Sequence, residues 1–350
     1  MNFASDNAAA IAPSVLDAIA RANHGHALGY GNDDLTRTVE RRIGEVFERD
    51  VAVFLVSTGT AANALSLAHI TPPWGGVLCH AEAHIATDEC GAPEFFGGGL
   101  KLIGLPGEGR KIAPAILAAA IARHTGHRPH YVQAATVSLS QANEAGTIYT
   151  PGEIAALADI AHVRGLKVHM DGARFANALV RSNASPAAMT WQAGVDVLSF
   201  GATKGGAMAA EAIVIFDRAS ADAMHERRKR GGHLLSKQRF IAAQFDGFLA
   251  DGNWLTWARH ANAMADRLAR GLTRHAMAPV WPVEANIVFV VLPQQADVRL
   301  RAAGASYYGW DTDGLPDGMV LKPGDVLARL VTSFVTTEAE VDRFVDIAGG

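Results

Sequence analysis

Short apolar runs alternate with longer helical patterns from about residue 50 to residue 216. Val51–Val56, Val77–His80, Leu100–Leu105, Tyr131–Leu139, Lys167–Met170, Val195–Phe200 and Ala212–Phe216 read as strands. Several are continuously apolar rather than alternating, the pattern of strands buried on both faces of a mostly parallel sheet. Between them, Thr60–His69, Ala113–His124, Pro151–Arg164 and Pro186–Ala193 predict helices. Pro151 suits a first helical position, with Thr150 as its cap and Glu153 near the positive helix end. The βα alternation predicts a doubly wound α/β fold with functional groups gathered at the C-terminal ends of the strands.

The texture changes after Phe216. Residues from about 220 to 275 are helical with dense Arg and Lys, Asn286–Leu292 and Val326–Val331 read as strands, and Thr337–Ile347 reads as a last helix capped by Thr336 or Thr337. A large domain over residues 1–248 and a small α+β domain over 249–350 are expected, and the first residues are free to pack with the small one. A chain of 350 residues, 49% hydrophobic and 19% charged, has the length and apolar content for both. A formal net charge of −4 leaves no electrostatic footprint for nucleic acid. No run approaches the ~20 apolar residues of a membrane span. Met1–Asp6 has neither a basic nor an apolar leader region, so a cytoplasmic location is expected. Cys79 and Cys90 form neither a disulfide framework nor a zinc pattern, and no metal is expected.

Two residues carry the candidate chemistry. Lys204 lies in Ser199-Phe-Gly-Ala-Thr203-Lys204-Gly-Gly, just beyond a strand end, and Asp171 lies in His169-Met-Asp171-Gly-Ala-Arg174 at the end of another. Alone, the first reads as a surface lysine and the second as a turn cap. Together they suit a Schiff-base lysine and a carboxylate that pairs with a pyridinium nitrogen, the needs of pyridoxal 5'-phosphate (PLP) chemistry. Gly201, Ala202, Gly205 and Gly206 are expected to leave room for a bulky ring. That reading requires a phosphate cup, a ring-stacking group and a carboxylate-binding arginine. Ser57-Thr58-Gly59-Thr60-Ala-Ala-Asn63 bridges a strand and a helix and offers free amides and hydroxyls to a phosphate, although an ordinary capped turn looks similar. His84, in His80-Ala-Glu82-Ala-His84, suits stacking on an aromatic face and acid–base work. The same run has metal-like spacing without an evident third ligand. Arg329 on a small-domain strand suits a carboxylate, and Arg174 suits either the cofactor or the substrate. In Arg227-Arg-Lys-Arg230-Gly-Gly-His-Leu-Leu-Ser-Lys237, a solvated helix face is as good a reading for Arg227 and Arg228, while Arg230 and Lys237 are the better phosphate candidates.

In this order, the motifs resemble those of low-specificity L-threonine aldolases, PLP enzymes of the aspartate-aminotransferase fold (fold type I). Phe3-Ala-Ser5-Asp6-Asn7, Gly29-Tyr30-Gly31-Asn32-Asp33 and Arg329-Leu-Val-Thr-Ser extend the likeness over nearly the whole chain. The resemblance implies a large domain with a mostly parallel seven-stranded sheet and a small C-terminal domain. It implies that Lys204 bonds the cofactor, Asp171 pairs with its ring nitrogen, Gly59 and Thr60 with Thr58 hold its phosphate, and His84 stacks on it. Thr203 and Arg174 would complete the cofactor shell. Ser5, Arg174 and Arg329 would bind the substrate carboxylate, with Gln141 and Asn143 on the substrate side. Tyr30, Arg230 and Lys237 would come from a neighbouring subunit, in a homotetramer built as a dimer of dimers.

One departure stands out. The family's Glu-Asn-Thr-His-Asn run is here Ser140-Gln141-Ala142-Asn143-Glu144. An amide cannot act as a base, so the role of that histidine is unfilled or passes to His84 or a water. The implied activity is retro-aldol cleavage of L-threonine, L-allo-threonine and related L-β-hydroxy-α-amino acids to glycine and an aldehyde, a carbon–carbon lyase reaction. The alternatives are another fold-type-I PLP reaction, β-elimination or transamination, or a non-catalytic PLP-binding homologue.

Overall fold

The computed structural model describes residues 1–312, 314–316 and 318–350. A seven-stranded sheet contains β1 (Ala52–Val56), β2 (Gly75–His80), β3 (Lys101–Leu105), β4 (Gln133–Ser140), β5 (Lys167–Gly172), β6 (Val197–Gly201) and β7 (Glu211–Ile215), in the order β1-β7-β6-β5-β4-β2-β3. The pairings from β6 across to β3 are all parallel. β7 runs antiparallel to both its neighbours, β1 and β6. With β7 alone reversed, β1, β2, β4, β5 and β6 end at one edge of the sheet. The predicted strands all form, with ends shifted by one or two residues. β2, β6 and β7 are buried at every position, which is why they read as mostly apolar runs without alternation.

Local chemistry sets the helix starts. Helix Pro151–His162 opens on a capping box in which Thr150 and Glu153 satisfy each other's backbone amides, with Pro151 inside the first turn. Helix Glu338–Gly349 opens the same way from Thr337 and Glu340, so Thr337 rather than Thr336 is the cap. The stretch expected as one helix from Pro186 to Ala193 is broken into Pro186–Met189 and a 3-10 turn, Trp191–Ala193.

A second, three-stranded sheet has the order β8 (Ile287–Leu292), β10 (Val326–Val331), β9 (Tyr308–Gly309), all antiparallel. Helix Asn253–Arg274 links the two cores. Its Trp254 and Ala258 join the core of the large sheet, while Met264, Ala265, Leu268 and Leu272 join that of the small one. Phe200 lies at the centre of the larger core, edge-on to Phe47 at 5.5 Å and to Trp254 at 5.5 Å. The N-terminus belongs with the small sheet: Phe3 packs on Phe344, donates its amide to Ser306, and accepts from Val331. The segment after Phe3 is thereby delivered to the C-terminal edge of the large sheet.

Candidate active site

A cavity of about 830 Å³ lies at that edge. Asp171, Lys204, His84, Gly59, Ser5, Arg174, Arg329 and Asn143 all line it, although they come from seven separate segments of the chain. Asp171, expected just past its strand, is still within β5, opposite Ser140 of β4 and Ser199 of β6. Lys204 follows the end of β6 in a turn closed by Gly205 and Ala207 amides donating to the Ala202 carbonyl.

The glycines around Lys204 do not make space for a ring. A Cβ on Gly201 would lie 2.8 Å from the Ala173 Cα, and one on Gly205 would lie 2.8 Å from the Phe248 ring. One on Gly206 would lie 3.1 Å from the Ala12 Cβ. These positions are glycine because other parts of the protein close in on them. Gly59 is different: nothing stands within 4 Å of where its Cβ would be. It opens helix Gly59–Ile70, and the first amides of a helix have no partner within it. Thr58 is exposed and caps the helix, its hydroxyl oxygen accepting from the Ala61 amide at 3.1 Å.

Asp171 Oδ1 accepts from the Ala173 amide at 3.0 Å, and Oδ2 from Asn63 Nδ2 at 2.8 Å. Burial works to raise its pKa, but the charges of His84 and Lys204 outweigh that and hold it below the usual carboxylate value. Burial, assisted by the Arg174 charge, lowers the Lys204 amine, against the pull of Asp6 and Asp171. His84 Nδ1 meets Glu89 Oε1 at 2.9 Å, and this contact raises the imidazole above its ordinary value against the opposing effect of burial. The same Glu89 oxygen accepts from Asn63 Nδ2 at 2.8 Å, so one amide group ties Glu89 to Asp171.

Arg174 makes a paired contact with Asp6, Nε to Oδ2 at 2.7 Å and Nη2 to Oδ1 at 2.9 Å. Arg329 on β10 stacks over Trp310 at 5.0 Å, and among the described residues its buried Nε has no partner. Burial and the Arg174 charge lower its pKa to about 10. An unpartnered cation beside a second arginine is a place for a carboxylate.

Other expected residues lie elsewhere. Gln141 is fully buried outside the cavity; its amide group bonds both the carbonyl (2.7 Å) and the amide (3.0 Å) of Tyr149. Asn143 reaches the cavity wall, but its Nδ2 donates to the Gly109 and Arg110 carbonyls and to Thr147, and its Oδ1 accepts from Ala145 and Thr147. The Thr203 hydroxyl closes the Lys204 turn by accepting from the Ala210 amide at 3.1 Å. Thr60 is half-buried and, like Thr58, does not line the cavity. Tyr30, Arg230 and Lys237 are exposed and also outside it. Tyr30 does meet the basic segment, with its ring under Lys229 at 4.9 Å and its amide donating to Ser236. The metal-like run diverges: His80 turns to Gly107, Glu82 pairs with Arg110, and His84 turns to Glu89.

Sequence spacing missed Glu89, the Asp6 contact to Arg174, and Glu144. Glu144 Oε1 accepts from the His84 amide at 2.9 Å and from the Ser140 hydroxyl at 2.8 Å, pinning the histidine segment to the end of β4. It also missed Glu211, buried on β7 opposite both Val56 and Gly201, whose pKa burial raises to about 7. Asn63 could have been found, since it lies one helical turn past Gly59 on the same face.

The donor set fits PLP. It combines an ionised buried carboxylate, a buried amine, a helix start facing open space, an imidazole and two arginines in one cavity. A model of the beta-eliminating lyase family matches residues 2–295. A low specificity L-threonine aldolase of Pseudomonas aeruginosa is 43% identical over 89% of this chain and 93% of that protein. One from a Pseudomonas sp. is 41% identical over 97% of this chain and 94% of its own length. A solved structure of Leishmania major threonine aldolase superposes with a TM-score of 0.91 at 30% identity, covering 99% of this chain and 98% of that one. The chain belongs to the beta-eliminating lyase family, within its low-specificity L-threonine aldolases.

Proposed function

We propose that this protein is a PLP-dependent lyase that cleaves L-threonine, L-allo-threonine and related L-β-hydroxy-α-amino acids to glycine and an aldehyde. The observation that carries this is the convergence of Lys204, Asp171 and His84 on one cavity, in a chain 43% identical to a named threonine aldolase. When bound, PLP supplies a carbonyl that bonds amines and a ring that accepts the electron pair of a broken Cα–Cβ bond.

The protein's residues do the rest. Lys204 would hold the cofactor through its side-chain amine, for which a depressed pKa is an advantage. Asp171, kept ionised, holds a proton on the ring nitrogen and so favours the electron-accepting state. The Gly59 and Thr60 amides, with Thr58, take the phosphate; Arg174 and Thr203 support the cofactor. Arg329, Arg174 and Ser5 would orient the substrate carboxylate; Asn143 would shape the substrate side of the cavity, and Gln141 would act only from behind it, by bracing Tyr149. His84 would stack on the cofactor and accept the β-hydroxyl proton, directly or through water. Among the described residues it is the one imidazole lining the cavity, and the neighbouring Asn143 cannot accept a proton in its place.

Residues 1–248 would form the cofactor domain and 249–350 the small domain. Tyr30, Arg230 and Lys237 would serve the site of a neighbouring subunit in a homotetramer. All three are exposed outside their own cavity, and Tyr30 meets Lys229 and Ser236, the sequence neighbours of Arg230 and Lys237, which supports that reading. No helix among the described residues is long and apolar enough to cross a membrane, and we place the enzyme in the cytoplasm.

The family description keeps β-elimination in view as the second reading. Product identity decides between them. Purified protein given PLP should release glycine and acetaldehyde from L-threonine and L-allo-threonine. Lys204→Ala should lose both turnover and the visible band of the lysine-bound cofactor. Keto acid and ammonia as the products would overturn the aldolase reading.

A further inference from the structure

His84 is held on one side only. Its Nδ1 lies 2.9 Å from Glu89 Oε1, and the Glu89 side chain is completely buried while the imidazole is 38% exposed. The same oxygen accepts from Asn63 Nδ2, whose other contact is Asp171. An amide nitrogen can only donate, so Asn63 presents hydrogens to both carboxylates and marks their facing oxygens as acceptors. With Glu89 Oε1 an acceptor, the hydrogen in the His84 contact sits on Nδ1. The backbone of His84 is fixed independently by Glu144 Oε1.

Resting on the aldol-cleavage reading above, we infer that Glu89 is a positioning residue for that reaction: it keeps a proton on His84 Nδ1 and leaves Nε2 to accept the substrate's β-hydroxyl proton. In that step the O–H bond breaks as an N–H bond forms at Nε2, the imidazole becomes a cation, and the buried Glu89 carboxylate pairs with the new charge. Nε2 then returns its proton to water. Asn63 extends the chain of hydrogen bonds to Asp171, so Glu89, the partner of the base, and Asp171, the partner of the ring nitrogen, share one donor.

The groups facing His84 are Glu89 from its own segment, Asp171 from β5, Lys204 from the turn after β6, and Glu144 at its amide. Glu89 and Asp171 favour the charged imidazole, whereas burial and Lys204 oppose it, and the Glu89 contact is the largest of these effects. Glu89 itself is faced by His84, Asp171 and Asn63, and burial raises its pKa, consistent with a proton held between the pair.

The test uses the full-length, PLP-loaded protein. His84 is followed by NMR in 13C-histidine-labelled samples without substrate, its signal assigned with His84→Asn, and the pH profile of kcat and KM is measured in parallel. Glu89→Gln keeps the shape and removes the charge. It should lower the pH at which His84 titrates, move the acid limb of kcat/KM to lower pH, and reduce kcat by about 10²–10⁴-fold, the range that a positioned base and its orienting carboxylate supply. KM and the visible cofactor band should change little. Glu89→Asp, which retains the charge, should recover part of kcat and serves as the second variant if Glu89→Gln folds poorly. His84 titrating in Glu89→Gln as in the unaltered protein would overturn the inference, as would a fall in kcat that only tracks loss of the cofactor band. Absence of glycine release by the unaltered protein would instead remove the aldolase reading, because the NMR arm tests the hydrogen bond without turnover.

Discussion

The contact between Asp6 and Arg174 joins the N-terminal segment to the loop after β5, and it gives the sharpest energetic test of the site. Both side chains are buried, with relative exposures of 2% and 10%. Asp6 also accepts from Asn286 Nδ2 at 3.0 Å, and Asn286 in turn donates to the Thr332 carbonyl at 2.6 Å. Asp6→Ala therefore leaves a guanidinium buried without its counter-charge and loosens a link to the small sheet. Removing one partner of a buried ion pair costs about 3–5 kcal/mol. At about 2 °C per kcal/mol for a chain of this size, melting should fall by roughly 6–10 °C. Arg174→Met should cost a similar amount, because it strands the carboxylate. The double variant should be less damaging than the sum of the two by about 2 kcal/mol or more, since neither charge is then left alone. The assay is denaturant unfolding of the four proteins, with KM for threonine measured alongside. KM should rise about tenfold in Asp6→Ala, equivalent to about 1.4 kcal/mol, as Arg174 loses its orientation. Single costs that add to within about 0.5 kcal/mol would refute a coupled pair.

The same pair sets a pH dependence. Burial pushes Asp6 up, but Arg174, Lys204 and Asn286 together hold it below its ordinary value of 3.8. A carboxylate lowered by folding stabilises the protein fully above its unfolded pKa and loses that contribution as pH falls through the folded one. Unfolding between neutral pH and about pH 5 should show no Asp6 contribution to the slope; below about pH 4 the native protein should weaken more steeply than Asp6→Ala. His84→Phe keeps an aromatic face for stacking and removes the proton acceptor, so kcat should fall about 10²–10⁴-fold while the visible cofactor band remains. Gln141→Ala should lower stability by about 1–3 kcal/mol per unsatisfied group with kcat/KM nearly unchanged, measured by unfolding and steady-state kinetics. Gly205→Ala should cost about 1–3 kcal/mol by overpacking, seen as a lower melting temperature, because the new methyl meets the Phe248 ring.

The fold was legible because its strands are buried on both faces. β2, β6 and β7 have no exposed position, so each stands out from its flanks as a mostly apolar run without alternation. The edge strand β3 is half open, and it was found from its length and apolar content rather than from alternation. Lys204 and Asp171 were legible for a related reason. Each follows such a run, and a βα architecture brings strand ends together whatever lies between them. The contacts that tune these residues obey no such rule. Asp6 and Arg174 are 168 positions apart, and Asn63 and Asp171 are 108 apart. Nothing in local spacing marks either pair. Glycine misled in the opposite direction: Gly201, Gly205 and Gly206 read as room for a ligand, yet small residues serve equally where two pieces of backbone or an aromatic ring must come close. Of these four glycines Gly59 alone has open space ahead of it, and only the packing distinguishes it from the other three.

The replaced histidine shows how chemistry can move within such a scaffold. Asn143 does not stand in as a base, because all its hydrogen-bonding capacity is spent on Gly109, Arg110, Ala145 and Thr147. It stiffens the loop that carries Glu144, and Glu144 holds the amide of His84. A position expected to act on the substrate thus acts on the segment that bears the remaining imidazole. Deleting the Asn143 side chain should therefore disturb turnover through His84 placement. The check is the His84 NMR titration, which should shift in Asn143→Ala; a lower kcat with an unchanged His84 signal would refute it.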